Sequence, residues 1–349
     1  MNKRVIIEKK ILFLQTIILT KDWMNTNIKY LGLELKSPII AGSCGLTNSI
    51  DNLLELERSG AGAIILKSIF EEQIVFDIKR NMTEVAPIDQ YGISYDYVAS
   101  HVAEDSMEKY FALIREAKQK LTIPLIGSIN CYQFQNWITY AKRFEEAGCD
   151  ALELNMSMLP YETSTSADDV ARLYQQIIST LKNTLSIPIA VKVSPYFTDL
   201  SKFMEQLSWM GIGGITIFNK TVNVDIDVNT IEMKSAPIIS KPDDVYNTLK
   251  WTAILCKKVR CDISSSTGVF TSDDVVKMLL AGAKSVQVVS CLYENGLEYM
   301  RTLNDGLLQW MSAHNFSSID QFRGILAVKS TENASLFFRT QSMKHFAEI

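Results

Sequence analysis

The stretch "RSGAGAIILKS", residues 58–68, decides the fold. A helix that must stop and turn commonly does so through a residue in the left-handed conformation, which glycine adopts without a Cβ penalty. Here Gly60 is followed within a few residues by an apolar run of strand length. The same design recurs in "EAGCDALELN" (146–155), "WMGIGGITIFN" (209–219) and "LAGAKSVQVVS" (280–290), with Gly148, Gly211 and Gly282 at the turns. Between these segments lie "SPIIAGS", "IPLIGSIN", "IPIAVKVSP" and "CDISSS", four more short apolar runs. Eight strands result.

Helical periodicity fills the intervals, at 50–56, 110–121, 137–147, 170–185, 200–209, 245–259, 274–281 and 297–312. Strands alternating this regularly with helices imply parallel βα units. Eight units over roughly 290 residues predict a closed (β/α)8 TIM barrel, α/β in class, rather than an open doubly wound sheet. No GxGxxG turn follows the first strand. Two connections exceed an ordinary βα turn, 69–105 and 219–244, and both follow strand C-terminal ends. Long loops on that face predict covers over a site.

Composition narrows the function. The 349 residues are 47% hydrophobic, enough for a large core, and 35 basic against 39 acidic residues leave a net charge of −4. No basic cluster alternates with aromatics, which argues against nucleic acid. Six cysteines lack CxxC spacing and only three histidines are present, so neither a disulfide framework nor a metal site is expected, and the reading is a cytoplasmic protein. Residues 1–23 contain an apolar run, 11–19, too short to span a bilayer. They are read as an extension outside the fold, with a membrane-associating helix as the alternative; the barrel is expected over 24–330 and a tail over 331–349.

The last residues of the strands form a constellation: Ser43, Lys67, Asn130, Asn155, Lys192, Asn219, Ser265 and Ser290. A lone strand-end asparagine is an ordinary turn former. Lys67 and Lys192 differ, because they sit inside apolar runs where an ammonium requires an anionic partner. That partner is either a carboxylate such as Glu153 or a ligand in the barrel mouth, and a Schiff-base lysine is a further reading. The run from Ser264 to Gly268, before a helix start near Ser272, offers hydroxyls and amides suited to phosphate, or simply to helix capping.

"LKSPIIAGS", "AGAIILKS", "ALELNMS", "IPIAVKVSPYF", "ITIFN", "STGVFTSDDVVKMLLAGAKSVQV" and "SSIDQFRG", in that order, resemble the dihydroorotate dehydrogenase family, most of all its dihydroorotate dehydrogenase-like subgroup. The resemblance implies an FMN-dependent barrel enzyme that oxidises dihydroorotate or a related small cyclic or carboxylated compound, as a homodimer. It implies that Lys67 contacts flavin and substrate, and that Gly42 and Ser43 lie beside the isoalloxazine. Asn130 and Asn155 would hold ribityl and substrate groups, Lys192 the flavin pyrimidine edge, and Asn219 the substrate. Ser265, Ser266, Gly268 and Ser290 would receive the phosphate.

The chain also departs from the family pattern. Where the family carries a Cys or Ser as general base, this sequence has Met158, whose thioether cannot take a proton. Ser157 is one residue away and is the nearest candidate replacement, with Tyr161, Cys131 and Cys44 on the same face. Met158 itself reads as a flexible apolar filler. Pro160 replaces an expected asparagine, and "QYGISYDY" (90–97) stands where a substrate loop is expected.

Overall fold

A computed structural model describes residues 24–71, 95–156, 158, 163–221, 223–329, 335, 339–340 and 342–344, the side chains of 95–106 excepted. The expectations for residues 1–23, for Ser157 and Tyr161, and for much of 90–97 lie outside the described residues.

The chain enters through a two-stranded antiparallel hairpin, β1 (Ile28–Tyr30) and β2 (Leu33–Leu35). The barrel begins with β3 (Ile39–Ala41), α1 (Ile50–Arg58), β4 (Ala63–Ile65), β5 (Ile69–Phe70), α2 (Tyr95–Lys120) and β6 (Leu125–Asn130). It continues through α3 (Phe134–Glu146), β7 (Ala151–Met156), α4 (Ala167–Thr184), β8 (Ile189–Val193), α5 (Leu200–Ser208) and β9 (Gly214–Ile217). A second hairpin, β10 (Val224–Asp227) and β11 (Glu232–Ser235), interrupts the alternation. Then come α6 (Val245–Leu255), β12 (Asp262–Ser265), α7 (Ser272–Ala281), β13 (Ser285–Val288), α8 (Ser290–Asn295) and α9 (Tyr299–Ala313).

The strands pair in parallel around a closed circuit, β3–β4–β6–β7–β8–β9–β12–β13 and back to β3, which is a (β/α)8 barrel. β4 pairs with the start of β6 and β5 with its end, so together they act as one interrupted strand. The strands read as continuous apolar runs because helices cover one face and the barrel interior the other; every residue of β3, β4, β7, β8 and β9 is buried. The glycines at the four turns, Gly60, Gly148, Gly211 and Gly282, have φ of 95°, 97°, 74° and 113°.

The two long connections differ from the loops expected. The first contains β5, and α2 already begins at Tyr95, well before the predicted start at 110. Residues 95–109 hold no glycine or proline, so nothing in them ends a helix. The second connection carries the β10–β11 ribbon, whose register pairs Ile226 with Met233 and Asp225 with Lys234. Among the described residues no helix is long and apolar enough to cross a membrane.

Candidate active site

The C-terminal ends of the barrel strands surround a cavity of about 650 Å³. Lys67 follows β4, Asn130 ends β6, Asn155 lies in β7, Lys192 in β8 and Asn219 just after β9, and all five line it. Ser43, Ser266, Gly268 and Ser290 join them. Side chains alternate across a strand, so only every second residue can reach the interior. That rule places Glu153 and Asn155 together on one side of β7, and Ser264 and Ser266 on one side of β12.

The same rule places Ser265 elsewhere. It is fully buried facing the helix layer, where its hydroxyl lies 2.7 Å from Thr252 Oγ1 of α6, and it does not line the cavity. Gly42 also lies outside the lining; a Cβ there would come within 2.7 Å of Val289 Cγ2, so its lack of a side chain admits the valine. Met158, two residues past β7, is half-buried against the hydrophobic core and is not a lining residue either.

Several contacts make the site rigid. The Tyr110 hydroxyl donates to the Lys67 carbonyl at 2.7 Å, which fixes the backbone that carries the lysine. Ser43 Oγ lies 3.0 Å from Ser68 Oγ, which in turn lies 2.7 Å from Ser128 Oγ, tying three strands together. Past Asn130, buried Glu71 accepts the amides of Tyr132 and Gln133 at 2.8 and 2.9 Å and the Asn136 side chain at 2.8 Å. It thereby caps the start of α3 and holds the turn that presents Asn130.

The electrostatics of the two lysines differ. Lys192 is buried and lies 3.6 Å from Glu153 Oε1, donating to Gln287 Oε1 at 3.2 Å. Lys67 has no anionic partner among the described residues. Asn155 is 7% exposed and its Oδ1 accepts no hydrogen bond. A buried amide oxygen left unpaired costs about 1–3 kcal/mol, so a ligand donor would be favoured there.

Sequence reasoning missed several parts of this lining, among them Gln287, Ser240, Lys220, Phe70 and Val269. Gln287 carries the same signal that singled out the lysines, a polar residue inside an apolar strand. Ser240, Ile238 and Ile239 lie in the 219–244 connection expected to cover the site, but nothing in that segment marks these three as the residues that reach it. Cys44, read as one alternative base, does line the cavity. Burial pushes its thiol up, with the amides of Leu46 and Thr47 pulling part of the way back. The neutral thiol therefore dominates at pH 7, and Cys44 should react slowly with iodoacetamide. Its rate should rise about tenfold per pH unit to about pH 9; peptide mass spectrometry reads this, and a flat profile contradicts it.

The sequence matches the family model described as dihydroorotate dehydrogenase over residues 25–311. It is 26% identical over 305 residues to the dihydroorotate dehydrogenase B (NAD(+)) catalytic subunit of Thermoplasma acidophilum, covering 84% of this chain and 96% of that one. The corresponding subunit of Methanothermobacter thermautotrophicus is 26% identical over 312 residues, 84% of this chain and 95% of that one. The NAD-dependent dihydropyrimidine dehydrogenase subunit PreA of Escherichia coli K12 is 22% identical over 325 residues, 88% of this chain and 77% of that one.

Proposed function

This chain belongs to the dihydroorotate dehydrogenase family, oxidoreductases acting on CH–CH groups, and from that premise we propose that it binds FMN in the barrel mouth and oxidises dihydroorotate or a closely related cyclic compound, a step of pyrimidine biosynthesis. The observation that carries this reading is the convergence of Lys67, Lys192 and three asparagines from five strands on one cavity, which Lys220 also lines, beside the unpaired Asn155 oxygen. The cavity volume of about 650 Å³ falls in the range of cofactor sites. Its apolar wall of Phe70, Ile238, Ile239 and Val269 suits a flat ring system.

When bound, FMN supplies a two-electron acceptor for the hydride removed from the substrate. The chain's own residues do the rest. Lys192 presents a fixed N–H donor where negative charge develops, the kind of preorganised electrostatic contribution that is commonly the largest in a site. Asn155 and Asn219 orient substrate carbonyl and amide groups, and Asn130 with Ser43 holds the cofactor's polar tail and ring edge. Lys67 reaches both ligands. Ser266 and Ser290 receive the phosphate on the turn that Gly268 makes.

A second reading, an FMN-binding barrel with a different substrate or without turnover, is favoured by one observation: Met158 has no titrating proton and packs against the core. Six free cysteines support the cytoplasm as the compartment. The relatives named as catalytic subunits suggest a companion subunit, with a homodimer as the other assembly. The purified protein should be yellow, and anaerobic dihydroorotate should bleach its visible absorption. A colourless protein that FMN cannot reconstitute would sink the flavin reading, and a stably yellow one leaves only the second.

A further inference from the structure

Barrel interiors of this kind are usually filled by branched apolar side chains, yet the layer that forms the cavity floor is polar and charged. Glu153 of β7 is 0% exposed. Its Oε2 accepts from Thr216 Oγ1 and from Gln287 Nε2, each at 2.7 Å, while Oε1 accepts no hydrogen bond and faces Lys192 Nζ at 3.6 Å. Gln287 closes the ring, because its Oε1 accepts from Lys192 at 3.2 Å. The four residues come from four different strands. Lys192 alone of them carries positive charge, and it lines the cavity together with Gln287.

A carboxylate at this depth needs a reason, since an apolar layer of similar volume is commonly as stable as a buried ion pair. We propose that Glu153 is a positioning residue: through Gln287 and direct charge contact it anchors the Lys192 ammonium at the cavity floor and offsets its charge. The inference rests on the flavin reading above, since what it tunes is a ring bound against Lys192. With Glu153 in place the floor offers a fixed N–H donor on a nearly neutral pair. Without its charge, the same lysine acts as an uncompensated cation.

Two measurements on the full-length chain test this. In the flavin-free protein, Glu153→Gln and Lys192→Met should each lower Tm by roughly 4–7 °C, because each leaves the other charge buried alone. The double variant should recover most of that loss, and additive losses would overturn the proposal. In FMN-loaded protein, Glu153→Gln should raise the midpoint potential so that the reduced-to-oxidised ratio shifts at least tenfold, about 30 mV for a two-electron couple. Glu153→Asp, which keeps the charge, should stay nearer the wild type. A merely structural role would move Tm and leave the potential alone, so an unchanged potential also overturns the proposal. Recovery in the double variant of a chain that never takes up FMN supports the anchoring and defeats the flavin reading instead.

Discussion

Replacing Met158 by Cys is expected to raise the rate at which dihydroorotate reduces bound FMN by roughly 10²–10⁴-fold, the contribution of a positioned acid–base group, once substrate turns position 158 from the core, where it packs here, toward the cavity. The native side chain has no proton to exchange, so the reaction must find its base in solvent or in a displaced residue. The Met156 end of β7 is held firmly, its carbonyl accepting from the buried Tyr174 hydroxyl, which keeps the loop start in place when the side chain is shortened. Stopped-flow absorbance under anaerobic conditions measures the rate directly. An unchanged rate would show either that position 158 stays packed against the core or that the missing base is not what limits turnover; alkylation of the new thiol with and without dihydroorotate separates the two.

Gly268→Ala is the second large effect. Gly268 has φ of 80°, and a Cβ there would lie 2.1 Å from the Val245 amide nitrogen, where α6 begins. Left-handed strain and overpacking together cost about 2–5 kcal/mol. The obstacle is backbone, which cannot rotate away as a side chain would. The Gly268 amide also donates to Ser240 Oγ at 3.3 Å, and that hydroxyl lies 2.8 Å from Ser290 Oγ, so the displaced loop would carry the proposed phosphate seat with it. We expect Tm to fall by roughly 3–7 °C and FMN to be lost on gel filtration. Retention of flavin with wild-type Tm would show that the loop lies elsewhere in solution.

Much of the architecture was legible because it depends on local chemistry. Glycine turns, strand-length apolar runs and helical periodicity each act within a few residues, and eight repeats of them have few packing solutions. The start of α2 was not legible: residues 95–109 carry a diluted apolar pattern, and nothing between there and 110 marks a boundary. The β10–β11 ribbon was read as a loop because its exposed alternation, with Val224, Ile226 and Met233 open to solvent, resembles no core element.

The site divides in the same way. Polar residues at the ends of apolar strands stand out in one dimension, because burying them without partners is costly; hence Lys67, Asn130, Asn155, Lys192 and Asn219. Their parity was harder to apply. Ser264, Ser265 and Ser266 look alike in sequence, and only the pleat of β12 decides that Ser265 turns to Thr252 while Ser266 lines the cavity.

By itself, the sequence determined the barrel, its order of strands and the residue types that crowd its mouth, since each follows from short-range spacing. Only the tertiary structure decided that Lys192 serves the cavity and pairs with Glu153 at once, that Gln287 joins them, and that Ser240 bridges Gly268 and Ser290. Those contacts link residues tens of positions apart or more, and closing the barrel is what brings their strands to one layer. Spacing along the chain carries no record of that distance.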